Sequence, residues 1–232
     1  MRFSCIVFDI DGTLIDSSPD VAAALNSVLV SRGRSPLAVD RVRALWQDQL
    51  RSLLRAAFRS TGESLSDPAI NEALADFRAA WTSRIGSDAL LADDAPLHLR
   101  RLVDGGARLC VLTNRSEHVT VSLLERFGLA DYFEFVLPGG HDSARKPDPA
   151  GLSELMTHCG VSDAETLLVG ATQLDLKTAR HGGVKCAMLA SFRPRAELVA
   201  MGADYTLSDL ASLVPLALGS ESTGQFRLPP RP

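Results

Sequence analysis

Apolar residues follow two rhythms along this chain. Four short runs are continuously apolar: CIVFDI (5–10), RLCVLT (108–113), TLLVGA (166–171) and VKCAMLA (184–190). A strand with one wet face alternates apolar and polar positions, so unbroken apolarity predicts strands covered on both faces, as in a parallel sheet. A further strand-like stretch, FEFVL (133–137), follows the second run. Between the later runs the apolar positions recur at helical spacing. SEHVTVSLLERFG (116–128), for instance, opens on a serine suited to an N-cap and stops at a glycine. Strand–helix units repeated at this length predict a doubly wound α/β domain.

The rhythm breaks between the first and second runs. From about residue 21 to residue 92 there is no strand pattern, and three helical stretches take its place: DVAAALNSVLVSRG, DRVRALWQDQLRSLLRAAFRSTG and DPAINEALADFRAAWTSRIG, each ending near a glycine. A helical insertion directly after the first strand predicts a cap over the carboxyl edge of the sheet. The expected organisation is a core of residues 1–16 and 93–218, a helical cap of residues 17–92, and a C-terminal tail. That tail, GSESTGQFRLPPRP (219–232), is small, polar and proline-rich, which predicts a loosely held segment.

Composition narrows the function classes. With 46% apolar and 22% charged residues in 232, the chain is long and apolar enough to bury a substantial core. A formal net charge of −4 without a clustered basic stretch argues against a nucleic-acid partner. No apolar run reaches membrane-spanning length, and the N-terminus enters a strand without a basic region or a small-residue cleavage site. The expectation is therefore a cytoplasmic protein, monomeric or homodimeric, with no membrane partner. Cys5, Cys110, Cys159 and Cys186 are widely spaced with no CxxC pair, and read as reduced core residues.

In open parallel sheets ligands bind outside the carboxyl ends of the strands. The residues ending the runs are Asp9 and Asp11, then Thr113 and Asn114, then Ala171 to Asp175, while Lys146 follows the FEFVL stretch. Carboxylates, a hydroxyl and an ammonium brought together suit phosphoryl transfer. A carboxylate attacks phosphorus only if the phosphoryl charge is offset, which a divalent cation and a lysine do together. Magnesium takes oxygen ligands, and Asp9 with the main-chain carbonyl of Asp11 would supply two. Asp11 would protonate the leaving oxygen and then deprotonate the hydrolytic water. Gly12 allows a tight turn around the phosphate. Thr113 and Lys146 would hold the phosphoryl oxygens.

The segments FDIDGTLIDS, VLTNRS, RKPDP and LLVGATQLDLKTARHGG, in this order and spacing, resemble the haloacid dehalogenase superfamily of aspartate-nucleophile phosphatases. The stretch DGTLIDSSPDVAAALNSVLVSRG with its helical insertion further resembles the phosphoglycolate phosphatase branch. The resemblance runs to about Leu210. It implies Asp9 as nucleophile, Asp11 as acid/base, a phosphate site of Gly12, Thr113, Asn114 and Lys146, magnesium held by Asp9, Asp11 and Asp175, and a small phosphorylated metabolite as substrate.

Two departures qualify this reading. The family's fourth motif usually reads GDxxxD, but here it is GATQLD, with Ala171 where the first acidic residue is expected. Weaker magnesium affinity follows, with Asp175 reaching the ion through water and Thr172 or Gln173 offering a neutral oxygen. The alternative function is thus a catalytically weak protein that binds a phosphorylated ligand or partner. In the cap, LWQDQLRS places Trp46 and Gln47 where relatives carry a glycine-containing loop, which leaves the substrate open. Other readings are weaker. A calcium loop has its glycine sixth, whereas Gly12 is fourth from Asp9. Thr13 after the DxDG resembles phosphatases more than mutases. The five histidines lack ligand spacing, Arg145, Arg193 and Arg195 read as exposed charge, and Asp16 reads as a hinge residue or cap of the next helix.

Overall fold

The computed structural model describes residues 1–46, 50–62, 64–140, 145–191 and 193–219. The chain divides into two compact units, Met1–Ile15 with Leu91–Pro232, and Asp16–Leu90. Its strands are β1 (Cys5–Phe8), β2 (Ile15–Asp16), β3 (Leu90–Leu91), β4 (Arg108–Leu112), β5 (Phe135–Leu137), β6 (Thr166–Gly170), β7 (Lys185–Leu189) and β8 (Tyr205–Leu207). Six of them form one sheet in the order β5-β4-β1-β6-β7-β8, and its pairings are parallel. That is the doubly wound order, in which the strand sequence reverses beside the first strand.

Central strands carry no polar face because both faces are covered. Ile6, Val7 and Phe8 of β1 and Leu167, Leu168 and Val169 of β6 are fully buried. Each such side chain contributes roughly 1.5–3 kcal/mol relative to exposure, which is why β1 and β6 read as unbroken apolar runs. The register aligns Phe8 with Val111 on one side and Val169 on the other, so β1, β4 and β6 end at one level. Two elements differ from the pattern reading. The edge strand β8 has only three residues, two of them half-buried, and falls below what apolarity alone reveals. The FEFVL strand is confined to Phe135–Leu137.

The unit Asp16–Leu90 is helical: α1 (Ser18–Ser31), α2 (Val39–Leu45), α3 (Leu50–Thr61) and α4 (Asp67–Thr82). The long stretch expected as one helix is two, because the backbone leaves helical geometry at Trp46, with φ −74° and ψ 112°. No proline or glycine marks that break, so the helical spacing reads through it. Gln47 lies outside the described residues. The helices share their own core, with Leu25, Leu53, Phe58, Ile70 and Phe77 fully buried. Asp20 is buried there, accepting the main-chain N–H groups of Gly86 and Asp88 at 2.7 Å each. Asp16 accepts the N–H of Ser18 at 2.8 Å as α1 begins. The segment 21–92 also holds β3, which pairs only with β2 in a two-stranded sheet.

The remaining helices, α5 (Ala95–Asp104), α6 (Glu117–Arg126), α7 (Ala150–Cys159), α8 (Gln173–His181), α9 (Arg195–Met201) and α10 (Leu213–Leu218), alternate with the strands of the large sheet. The four cysteines are buried and reduced. Cys5, Cys110 and Cys159 bring their Sγ atoms within 4.8 Å of one another, a meeting across three elements that spacing does not disclose. Burial pushes Cys159 up to about 11 and holds Cys186 well above its ordinary value, so these are protonated core thiols. Among the described residues, no helix is long and apolar enough to cross a membrane.

Candidate active site

At the end of β1 the chain adds one more ladder bond, Asp9 N–H to Val169 C=O at 2.9 Å, and then turns sharply. The carbonyl of Ile10 accepts the N–H groups of Thr13, Leu14 and Ile15 at 3.0–3.2 Å, which pins the loop carrying Asp11. Gly12 sits at φ 75°, a left-handed conformation that a side chain would strain. The alternation Asp9–Ile10–Asp11 therefore sends Ile10 into the core, fully buried, and leaves both carboxylates at the strand end.

Lys146 closes the site from the loop after β5. Its Nζ lies 2.8 Å from Asp9 Oδ1 and donates to Asp175 Oδ1 at 2.5 Å, and all three side chains are at most 7% exposed. Asn114, expected to bind phosphate, instead clasps the lysine's backbone: its Nδ2 donates to Lys146 C=O at 3.0 Å, and its Oδ1 accepts Lys146 N–H at 2.9 Å. Thr113 is buried at the end of β4, with Oγ1 accepting Arg115 N–H at 3.3 Å.

Asp175 opens helix α8 and is fully buried. Its Oδ2 accepts Thr172 Oγ1 at 2.7 Å, Thr172 N–H at 2.9 Å and Ala171 N–H at 3.2 Å, while Oδ1 takes Lys146. Thr172 in turn accepts Asp175 N–H, completing a capping box. A Cβ on Gly170 would stand 2.4 Å from Asp175 Cβ and Cγ, so the turn needs glycine for close approach. Asp175, expected to reach a metal through water, has Oδ2 engaged by the helix cap, while Oδ1 meets Asp9 Oδ1 on the same lysine Nζ. Among the described residues, the only three His, Cys, Asp or Glu side chains whose ligand atoms lie within 4.8 Å of one another are the cysteine trio.

Arg115, which lies in the VLTNRS segment but receives no role from sequence alone, also joins the site. Its Nε and Nη2 donate to Asp11 Oδ2 and Oδ1 at 2.5 Å each. Arg145 is exposed and reaches the Asn114 carbonyl at 2.9 Å, while Arg193 pairs with Glu197 and Arg195 with Thr206, so none of the three faces the carboxylates.

Electrostatics follow from this crowding. Burial, and then the charge of Asp175, push Asp9 up to about 7, with Lys146 pulling the other way and Asp11 adding to the rise. Burial works against the Lys146 charge, but Asp175 and Asp9 outweigh it and hold the ammonium above its ordinary value. With every group ionised, three carboxylates facing Lys146 and Arg115 would leave one net negative charge, and the raised Asp9 shows that the site resists that state. The donor set is hard oxygen, from the Asp9 carboxylate and the Asp11 main-chain carbonyl, and fits a magnesium ion that keeps water on the rest of its sphere. Ala171 adds no side-chain oxygen at the end of β6.

Comparison with known proteins agrees with this geometry. Residues 6–189 match the haloacid dehalogenase-like hydrolase family. The phosphoglycolate phosphatase of Rhodospirillum rubrum is 33% identical over 90% of this chain and 88% of its own length. Phosphoglycolate phosphatase 1 of Pseudomonas aeruginosa is 32% identical over 79% of this chain and 68% of its own. Among solved structures, a predicted phosphoglycolate phosphatase from Haemophilus somnus superimposes with a TM-score of 0.80 at 24% identity, covering 93% of this chain and 98% of its own. A haloacid dehalogenase-like hydrolase from Streptococcus pneumoniae does so with 0.80 at 19%, again covering 93% and 98%. At these identities the structural likeness speaks for the fold alone. With its doubly wound sheet, its paired aspartates at the end of β1 and a family match spanning most of its length, the chain belongs to the haloacid dehalogenase-like hydrolases.

Proposed function

We propose that the protein hydrolyses a small phosphomonoester through an aspartyl-phosphate on Asp9, with magnesium as cofactor. The observation carrying this reading is the buried Asp9–Lys146–Asp175 chain at the end of β1, with contacts of 2.8 and 2.5 Å. It presents a carboxylate whose attack on phosphorus a fixed cation assists. The likeness to phosphoglycolate phosphatases supports 2-phosphoglycolate or a comparably small phosphate ester, sugar phosphates included, as substrate.

In this reading Asp9 attacks phosphorus as the bond to the leaving oxygen breaks, and Asp11 gives that oxygen a proton. Asp11 then takes a proton from the water that attacks the phospho-aspartate, which restores both residues. Lys146 offsets charge on the phosphoryl oxygens, Thr113 donates its hydroxyl to one of them, and Asn114 holds the lysine's loop. Magnesium, when bound by Asp9 and the Asp11 carbonyl, supplies positive charge that offsets the phosphoryl group's own. Buried protonated thiols suit a reducing compartment, and the proposal extends to a cytoplasmic monomer or homodimer acting on a free metabolite rather than on nucleic acid or a membrane.

The test is phosphate release from a panel of small phosphomonoesters, including 2-phosphoglycolate, across a magnesium titration, with Asp9→Asn alongside. Magnesium-dependent release that the variant abolishes is expected, and a variant with wild-type turnover would overturn the reading. Ala171 favours a second reading, a weak enzyme that mainly binds a phosphorylated ligand. In that case wild-type turnover is low, and Ala171→Asp raises both magnesium affinity and rate. A carboxylate about 4 Å from an ion contributes up to about 4 kcal/mol per unit charge at an effective dielectric near 20, so a tenfold gain or more is expected. No gain in either quantity contradicts the idea that position 171 limits the enzyme.

A further inference from the structure

Of the ion-paired cations among the described residues, only Lys146 and Arg115 have side chains less than a tenth exposed. Lys146 has a role in the mechanism above, but Arg115 has none. Its side chain is 7% exposed and its guanidinium grips both oxygens of Asp11, at 2.5 Å through Nε and 2.5 Å through Nη2. Its backbone is fixed on both sides, since its N–H donates to Thr113 Oγ1 at 3.3 Å and its carbonyl accepts Gly139 N–H at 2.6 Å. The guanidinium is therefore anchored by the end of β4 and not by the loop that carries Asp11.

We propose that Arg115 is a positioning residue for Asp11, fixing the plane and direction of the carboxyl group, which in its acid form protonates the leaving oxygen and then, as the carboxylate, takes a proton from the hydrolytic water. The inference rests on the phosphatase reading. An aspartate on a turn has two free side-chain torsions, and a single hydrogen bond would leave the plane of its carboxyl group undetermined. Two parallel N–H···O bonds from a rigid fork determine it, which a lysine, as a point charge, does not. Each carboxylate oxygen has two lone pairs, so after accepting one N–H it still has one for the transferred proton. Burial adds weight, because a forked pair on the surface would contribute little to either stability or geometry. The step that depends on this arrangement is cleavage of the bond between phosphorus and an alkoxide, which departs as an alcohol only when a proton arrives in time.

The discriminating experiment compares two esters that differ in this need. In 2-phosphoglycolate the leaving oxygen is a poorly stabilised alkoxide, whereas p-nitrophenyl phosphate expels a stable phenolate without help. The ratio kcat/KM reports formation of the phospho-aspartate for both. Arg115→Gln is expected to lower it about 10²-fold for 2-phosphoglycolate and to leave it within the same order of magnitude for p-nitrophenyl phosphate. Added guanidinium ion should recover part of the loss. Arg115→Lys keeps the buried charge without the fork, should show the same contrast to a smaller degree, and decides the matter if the glutamine variant does not fold. Equal losses on both esters, or none on either, would overturn the inference while leaving the phosphatase reading in place. A wild-type protein that releases phosphate from neither ester would overturn both.

Discussion

Asp175→Asn removes one charge and almost no volume from the centre of the site. In the native arrangement Oδ1 accepts from Lys146 at 2.5 Å, and Oδ2 accepts from Thr172 Oγ1, Thr172 N–H and Ala171 N–H. An asparagine has one acceptor and one donor end, so its NH2 must face either an ammonium or two main-chain donors. Each buried donor left unsatisfied costs about 1–3 kcal/mol. Losing one partner of a buried ion pair costs about 3–5 kcal/mol, and here Lys146 retains Asp9, which moderates that figure. A loss of about 3–5 kcal/mol is expected, a large share of the roughly 5–15 kcal/mol that holds a typical domain together. Thr172→Ala, which removes the hydroxyl's two bonds with Asp175 and leaves the Lys146 contact in place, should cost about 1–2 kcal/mol. Urea unfolding of the metal-free protein, with unchanged m-values, measures both. If Asp175→Asn costs no more than Thr172→Ala, Asp175 does not perform the joint role assigned to it.

Two other outcomes follow from the same geometry. Because Asp9 titrates at about 7 in the folded protein and at the ordinary aspartate value of 3.8 once unfolded, the metal-free native state retains a proton between those values that the unfolded chain has lost. Stability should therefore decline as pH rises through that window, a decline that Asp9→Asn abolishes, and kcat/KM at limiting magnesium should climb towards pH 7 and shift its acid limb downward as magnesium is added. Denaturation and initial rates at several pH values check this, and a flat profile in both would count against it. Gly170→Ala would place a methyl 2.4 Å from Asp175, so about 1–3 kcal/mol of overpacking should appear in thermal melts, accompanied by a loss of activity.

The strands and the paired aspartates were legible because their signals are local. β1, β4, β6 and β7 are buried on both faces, and burial writes itself into sequence as uninterrupted apolarity. Asp9 and Asp11 lie one residue apart around a buried isoleucine, so a strand end delivers both. The partnerships were not legible where they join distant segments. Arg115 meets Asp11 across 104 positions, and Asn114 meets Lys146 across 32, with nothing local to mark either. Asp175 did carry a local signal: TQLD opens with a threonine three residues before the aspartate, the spacing of a capping box, which points to its place at the start of α8. The division of α2 from α3 had no such mark, because no glycine or proline separates them.

The central claim is that Asp9 carries the phosphoryl group, and trapping that group tests it most directly. Borohydride reduces an aspartyl-phosphate to homoserine, so wild-type protein quenched during turnover of its best ester and then reduced should yield homoserine at position 9 by peptide mass analysis. Without substrate the position should remain aspartate. Full-rate phosphate release with Asp9 unmodified, or modification at a different residue, would contradict the account.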